Sequence, residues 1–244
     1  MQPTGSVLEE SSIRSVTLSP ENRRQHSFSD VMAYPPIVLH SEGAGYGTKR
    51  IIDIIGAGFG LLILGVLFPF IYLGVKVSSK GPVIFTQRRT GMNGKAFSCF
   101  KFKTMYIREV KQEDDKPVIT KIGDWRIFAF GRFLRKMNID ELPQLINVLR
   151  GEMSLVGPRP LPIQECRYWQ REIPGFSMRY QNTRPGLTGW AQVTGYRGGT
   201  HDPVHMYFRL KRDLRYIENA SLMLDLQIIW RTAKQMIGGN TGAH

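Results

Sequence analysis

Ile54-Ile-Gly-Ala-Gly-Phe-Gly-Leu-Leu-Ile-Leu-Gly-Val-Leu-Phe-Pro69-Phe-Ile-Tyr-Leu-Gly-Val75 is a run of 22 residues without a charge. Wholly helical, it would extend about 33 Å at ~1.5 Å per residue, the thickness of a bilayer's hydrocarbon. A soluble core helix rarely needs that length, so the run is read as membrane-embedded. Lys49 and Arg50 precede it, and Lys76, Lys80, Arg88 and Arg89 follow it. Because an excess of Lys and Arg marks the cytoplasmic side, both ends claim the same side. Pro69 removes a backbone donor and kinks or breaks a helix. Two arrangements satisfy these facts. One is a re-entrant helix that bends at Pro69 and leaves by the face it entered. The other is a single kinked span with the short preceding segment outside.

Outward from this run, the chain has 244 residues, of which 42% are hydrophobic and 22% charged, which excludes wholesale disorder. Cys99 and Cys166 are too few for a disulfide framework or a four-ligand zinc site, and a reducing compartment is expected. The net charge is +13. Such a field attracts an anion: nucleic acid, an acidic membrane surface or a phosphorylated substrate. Residues 1–45, rich in Ser and Pro without an apolar period, read as a mobile polar tail, and no signal peptide is expected there. Residues 46–80 form the anchor, 81–238 the second and larger domain, and 239–244 a flexible end.

In that domain, alternation predicts strands at Val83–Thr86 and Ala96–Phe102, joined by a turn at Gly91–Gly94. Helices are expected over Arg126–Lys136, from about Asn138 to Leu149, over Gln164–Glu172, Met206–Tyr216 and Leu222–Ile237, with a loop over Glu109–Pro117 and an irregular Gly-rich stretch over Arg184–Gly199. Leu142, Leu145, Ile146 and Leu149 fall on one helical face. The Leu222–Ile237 stripe suits either a core or a membrane interface.

Between Asp53 and Glu109 there is no carboxylate, but there are eight Lys or Arg residues, the pattern that holds a domain against anionic headgroups. Lys101 and Lys103 alternate with Phe100 and Phe102, so both ammonium groups leave one side of a strand, where a phosphate is a sensible partner. In Arg135-Lys-Met-Asn-Ile-Asp140-Glu141-Leu-Pro143, the proline belongs to a first helical turn, which places Asp140 and Glu141 at a helix N-terminus. Acids there complement the helix dipole, for roughly 0.3–1 kcal/mol, and most such pairs do no more. They could equally supply an ionised nucleophile toward phosphorus and a Mg²⁺ ligand, with Arg135 nearby favouring ionisation. Gly157-Pro158-Arg159-Pro160 and Arg184-Pro185-Gly186 each fix an arginine on a restricted turn suited to phosphate.

Two signals are set aside. Gly56-Ala-Gly58-Phe-Gly60 lacks the third small residue and the acid of a dinucleotide loop, and small residues for close helix packing explain it better. His201 and His205 flank Pro203 and make a poor zinc pair.

Taken together, these motifs resemble the bacterial sugar transferase family of monotopic polyprenyl-phosphate phosphoglycosyl transferases, from about Lys49 to Ile237. The likeness rests on Lys49-Arg-Ile-Ile-Asp53, Gly81-Pro-Val-Ile-Phe-Thr-Gln87, Lys101-Phe-Lys-Thr-Met105, Asp140-Glu-Leu-Pro-Gln-Leu-Ile-Asn-Val148, Gly151–Pro160, Arg184–Gly195 and Leu224-Asp-Leu226. The resemblance implies a helix-rich α/β (α+β) monotopic membrane protein, with a helix made re-entrant by a break at Pro69 and a catalytic domain on the cytoplasmic face of a bacterial inner membrane. It implies transfer of a sugar 1-phosphate from a UDP-sugar to undecaprenyl phosphate with release of UMP. Asp140 would be the nucleophile that becomes a phosphosugar ester, and Glu141 would help bind Mg²⁺. Lys101, Lys103, Arg135, Arg159, Arg184 and Gln192 would be substrate-binding residues.

Anionic lipids are expected partners and nucleic acid is not; a homo-oligomer stays open. Phe68 stands where members often carry Ser before the proline. Tyr196-Arg-Gly-Gly-Thr200 is nearer to members that transfer hexoses. The alternative is a non-catalytic, membrane-tethered scaffold that retains the fold.

Overall fold

A computed structural model of the chain describes residues 46–106, 120 and 123–238. The expectations for residues 1–45, 109–117 and 239–244 lie outside the described residues. The apolar run forms part of one uninterrupted helix, α1 (Tyr46–Ser78), which continues through Pro69. It is the one helix among the described residues long and apolar enough to cross a membrane.

One stripe of α1 packs on the rest of the protein along almost its whole length. Asp53, Ala57, Leu64, Ile71 and Val75 are buried, at spacings of four and seven residues that keep them on one face. The glycines allow this contact, as the small-residue reading of the sequence expected. A Cβ at Gly56 would lie 2.6 Å from Leu155, and one at Gly60 would lie 2.7 Å from Leu145. The opposite face carries Ile55, Phe59, Leu62, Val66, Phe70 and Val77, each at least 65% exposed. Leaving such side chains in water forgoes roughly 1.5–3 kcal/mol apiece, in total as much as a typical domain's net stability of about 5–15 kcal/mol. That face calls for an apolar medium.

The charges near the start of α1 are clamps. Lys49 Nζ donates to Asp225 at 2.5 Å and to the Tyr216 hydroxyl at 3.2 Å. Arg50 donates to the carbonyls of Val148 and Leu149 at 2.6 and 2.9 Å. Asp53 accepts from the Ser154 hydroxyl and the Leu155 N–H.

After α1, strands β1 (Ile84–Thr90) and β2 (Ala96–Phe102) form an antiparallel hairpin in which Phe85 faces Lys101 and Arg89 faces Phe97. The hairpin closes through a 3-10 turn at Met92–Gly94, with Asn93 at φ 54°. Helix α2 (Ala129–Lys136) leads into a 3-10 turn at Ile139–Glu141, and only after Pro143 does helix α3 (Gln144–Leu149) begin. The dyad therefore sits on the 3-10 turn before the helix rather than in the helix's first turn.

The inward face of α3 is Gln144, Leu145, Asn147 and Val148, while Ile146 and Leu149 are more than a third exposed, so the expected apolar face is rotated. The reason is polar. Asn147 reaches β2, accepting from Phe100 N–H at 3.1 Å and donating to Ser98 O at 2.7 Å.

Strand β3 (Ser154–Val156) pairs in parallel with β4 (Gly186–Thr188) in the stretch expected to be irregular, with helix α4 (Ile163–Glu172) between them in sequence. Short helix α5 (Trp190–Val193) precedes α6 (Pro203–Glu218) and α7 (Leu222–Ile237). Trp169, Tyr180, Met206 and Leu210 centre the core between α4 and α6.

Candidate active site

The hairpin, the 3-10 turn of the dyad and the turn after β3 enclose a cavity of about 470 Å³. Alternation along the paired strands sends Phe85, Gln87 and Arg89 of β1 and Lys101 of β2 to its wall. Lys103, Arg135, Asp140, Glu141, Arg159 and Arg197 line it too. Six of the expected residues, Lys101, Lys103, Arg135, Asp140, Glu141 and Arg159, are thus joined by Arg197, which the sequence reading used only to compare sugar preferences.

The two adjacent carboxylates have opposite surroundings. Glu141 Oε1 accepts from Lys101 Nζ at 2.7 Å and from Arg159 at 2.6 Å, and Oε2 accepts a second Arg159 bond at 3.1 Å. Arg197 stands 3.5 Å from Oε2 and is held by Asn138 Oδ1 at 2.6 Å. Asn138 adopts φ 55°, a left-handed conformation that Asn tolerates well, which turns the chain into the dyad. Asp140 is as deeply buried, yet no donor among the described residues hydrogen-bonds its carboxylate.

The electrostatic consequences diverge. Burial pushes the Asp140 carboxyl above its ordinary value, against the pull of Lys101. Burial acts on Glu141 as well, but the Arg159 and Lys101 charges beside it outweigh burial and hold it well below the usual carboxylate range. The expectation that a helix end and Arg135 keep Asp140 readily ionised is thus corrected: burial wins, since a 3-10 turn supplies little dipole. Burial also lowers Lys101 and Arg135.

Arg159 owes its position to more than its two flanking prolines. Its carbonyl accepts from the Tyr180 hydroxyl at 2.6 Å, and Arg89 donates to the Pro160 carbonyl at 2.6 Å. Lys103 lines the cavity, but its ammonium donates to Lys80 O at 2.5 Å, and Arg135 Nε donates to the Thr104 hydroxyl at 2.9 Å. Arg184 and Gln192 are not cavity residues. Arg184 Nε donates to Gly151 O at 2.9 Å, fastening the turn after α3, and Gln192 is buried beside β4. The two residues expected at the substrate thus lie at these turns, outside the cavity lining.

Among the described residues, no three His, Cys, Asp or Glu side chains gather as a metal site. The donor chemistry nevertheless suits Mg²⁺, which takes one or two carboxylates and completes its shell with phosphate oxygens and water.

A cavity that holds two unlike carboxylates under a cluster of cations, beside a helix with a lipid-seeking face, defines a membrane-associated site for phosphate chemistry. Comparison with known proteins agrees. The model of the family described as bacterial sugar transferase matches residues 45–239. The chain belongs to the bacterial sugar transferase family, and with it to the transferases.

A Caulobacter vibrioides protein, described as UDP-glucose:undecaprenyl-phosphate glucose-1-phosphate transferase, is 43% identical over 191 residues, covering 78% of this chain and 69% of its own. A Xanthomonas campestris pv. campestris protein of the same description is 43% identical over 195 residues, 79% of this chain, but this chain spans only 39% of its length. The exopolysaccharide production protein PSS of Rhizobium leguminosarum bv. phaseoli is 40% identical over 187 residues, with 75% of this chain and 92% of its own covered.

Proposed function

We propose that this protein transfers a hexose 1-phosphate from a UDP-hexose to undecaprenyl phosphate and releases UMP, the first membrane step in assembling an exopolysaccharide, capsule or O-antigen. The observation that carries this reading is the split inside the dyad: Glu141 is fastened by Lys101 and Arg159, while no donor among the described residues reaches Asp140. A carboxylate that burial has made more basic, and that no hydrogen bond from the described residues restrains, suits attack on phosphorus.

An oxygen of Asp140 bonds to the phosphorus that bears the sugar, and the oxygen bridging the two phosphates leaves with UMP. An oxygen of the lipid phosphate then attacks the same phosphorus and expels the Asp140 carboxylate, leaving a lipid diphosphate sugar. Both displacements exchange one P–O bond for another and need no net proton. Four cations, Lys101, Arg135, Arg159 and Arg197, surround two carboxylates, and their surplus positive charge attracts a diphosphate and steadies charge on the departing UMP. Mg²⁺ would be held by Glu141 together with substrate phosphates, and when bound it neutralises charge on the transferring group.

The lipid substrate requires this cavity at headgroup height. Asp53 near one end of α1 and Val75 near the other both pack on the same domain, and the helix has no break at Pro69, which supports a helix that lies in the cytoplasmic leaflet of a bacterial inner membrane without crossing it. Lys76 and Lys80 are well placed for anionic lipids.

The test uses the purified protein in bilayer nanodiscs with undecaprenyl phosphate and a panel of UDP-hexoses. UMP release from at least one donor, stopped by EDTA, is expected. No release from any donor would overturn the reading, and release that persists in chelator would remove Mg²⁺ from it.

A further inference from the structure

Two lysines on one side of the hairpin belong to different neighbourhoods. Lys101 and Lys103 both line the cavity, about 7 Å apart along the backbone at ~3.4 Å per residue. Lys101 is engaged by the dyad: its ammonium donates to Glu141, and both acids of the dyad act on its charge. Lys103 is turned instead to the end of α1. Its ammonium donates to Lys80 O at 2.5 Å, while Lys76, in the last turn of α1, donates to Gly81 O at 3.1 Å. The turn that joins α1 to β1, with Gly81 at φ 97°, thus takes an ammonium group on each of two consecutive carbonyls.

These two ammonium groups form a cationic pair without a counter-charge. Neither makes an ion pair with a carboxylate among the described residues. Burial and then the Lys76 charge lower the Lys103 ammonium from its ordinary value, and no acid among the described residues acts in the opposite sense. Like charges held at one turn repel, and an anion lying between them removes the repulsion. One carbonyl bond leaves each ammonium two further protons to donate.

The pair also joins two media. Lys103 is 4% exposed and belongs to the cavity wall. Lys76 is exposed, and its ammonium stands 5.8 Å from the ring centre of Tyr72, itself 45% exposed one turn earlier on α1. A cationic pair with one member on the membrane helix and the other in the cavity wall suits an anion that arrives in the bilayer.

We infer that Lys76 and Lys103 form the subsite that receives the phosphate of the lipid acceptor, separate from the cations that hold the donor's diphosphate at the dyad. A phosphate monoester carries a charge of about −1.5 to −2 at pH 7, which two ammonium groups match, whereas the diester of a bulk phospholipid carries less. Lys103 and Asp140 line the same cavity, so a phosphate held there needs no second opening to reach the dyad. The inference rests on the undecaprenyl phosphate acceptor proposed above, and deepens it.

The experiment measures lipid binding by native mass spectrometry of the full chain in detergent micelles that carry undecaprenyl phosphate, undecaprenol or phosphatidylglycerol. It compares the unaltered protein with Lys76→Gln, Lys76→Arg and Lys95→Gln, and a thermal melt verifies that each is folded. The unaltered protein is expected to prefer undecaprenyl phosphate over the other two lipids. Lys76→Gln is expected to weaken its binding about tenfold, the worth of one hydrogen bond to a charged group. Lys76→Arg, which keeps the charge, and Lys95→Gln, which removes an exposed charge at the opposite end of the hairpin, are each expected to change it less than about twofold.

Undecaprenol held as tightly would show that the chain and not the phosphate is bound, and phosphatidylglycerol held as tightly would make the pair a contact for bulk headgroups; either overturns the subsite. So would equal losses in Lys76→Gln and Lys95→Gln, a loss in Lys76→Arg as large as in Lys76→Gln, or no loss in Lys76→Gln. UMP release by a protein whose acceptor binding ignores Lys76 would sink the subsite alone. Acceptor binding that depends on Lys76, in a protein that releases no UMP from any donor, would sink the proposed reaction and leave the subsite standing.

Discussion

The seam between α1 and the domain and the wall of the cavity both bury a pair of carboxylates, to nearly the same depth. Asp53 and Asp225 in the seam are 3% and 6% exposed, and Asp140 and Glu141 in the cavity are 7% and 6%. Burial therefore does not distinguish them; their donors do. Asp53 accepts from Ser154 and Leu155, and Asp225 from Lys49 and from the Tyr216 hydroxyl at 2.7 Å. Glu141 is bound with similar completeness. Of the four, Asp140 is the one that no donor among the described residues reaches. The seam follows the rule that buried polar groups are satisfied, whereas in the cavity no donor among the described residues reaches the Asp140 carboxylate, and the proposed attack uses such an unrestrained oxygen.

The largest expected effect that sharpens this contrast comes from Asp140→Asn. UMP release should fall at least about a thousandfold, since a nucleophile has no substitute. Stability should move the other way. The Asp140 carboxyl is raised by burial in the folded state, so above that raised value the fold carries the penalty of a charge it does not favour. The neutral amide removes this penalty, and the melting temperature at pH 7 should rise. A fall would make Asp140 a structural acid like those of the seam.

Asp53→Ala is the mirror experiment. It strands the Leu155 N–H, while the Ser154 hydroxyl can still donate to Val156 O, and should cost about 1–3 kcal/mol in chemical denaturation. Donor binding should be retained in the protein that remains folded. A neutral outcome would mean that the apolar stripe holds α1 without help from its polar clamps.

The smallest effect is on the pH profile. Attack needs Asp140 ionised, so kcat/KM should fall on acidification with a midpoint above the ordinary carboxylate value, while Glu141, held low by Arg159 and Lys101 against its burial, stays ionised throughout. A midpoint at or below the ordinary value would contradict the bare environment of Asp140.

Much of this was legible in the sequence, for reasons that can be named. Helix α7 runs over Leu222–Ile237, the bounds that its stripe suggested, because an apolar period is enough to define a helix capped by Ser221. Helix α6 starts at Pro203, three residues before the expected Met206. Its Asp202-Pro203 pair is an N-cap with proline in the first turn, a signal that was present and went unread.

The rotated face of α3 could not be read from hydropathy, since Asn147 is buried to serve β2. Likewise β3 and β4 are too short to show alternation. In the site, Lys101, Asp140, Glu141 and Arg159 were recognisable from their motifs. Arg197, Glu165 and Arg209 were not, because only tertiary packing of α4, of α6 and of the loop before it brings them to one cavity. Nor could the sequence tell which carboxylate would be fastened, a difference set by the reach of Lys101 and Arg159.

The central claim is that Asp140 becomes esterified to phosphorus. Peptide mass spectrometry of the protein quenched in acid after incubation with UDP-hexose and Mg²⁺, without lipid acceptor, tests it most directly. The account expects the peptide containing residue 140 to gain the mass of a hexose phosphate, and to lose it again when undecaprenyl phosphate is added. Transfer of sugar phosphate to the lipid with that peptide never modified would contradict it.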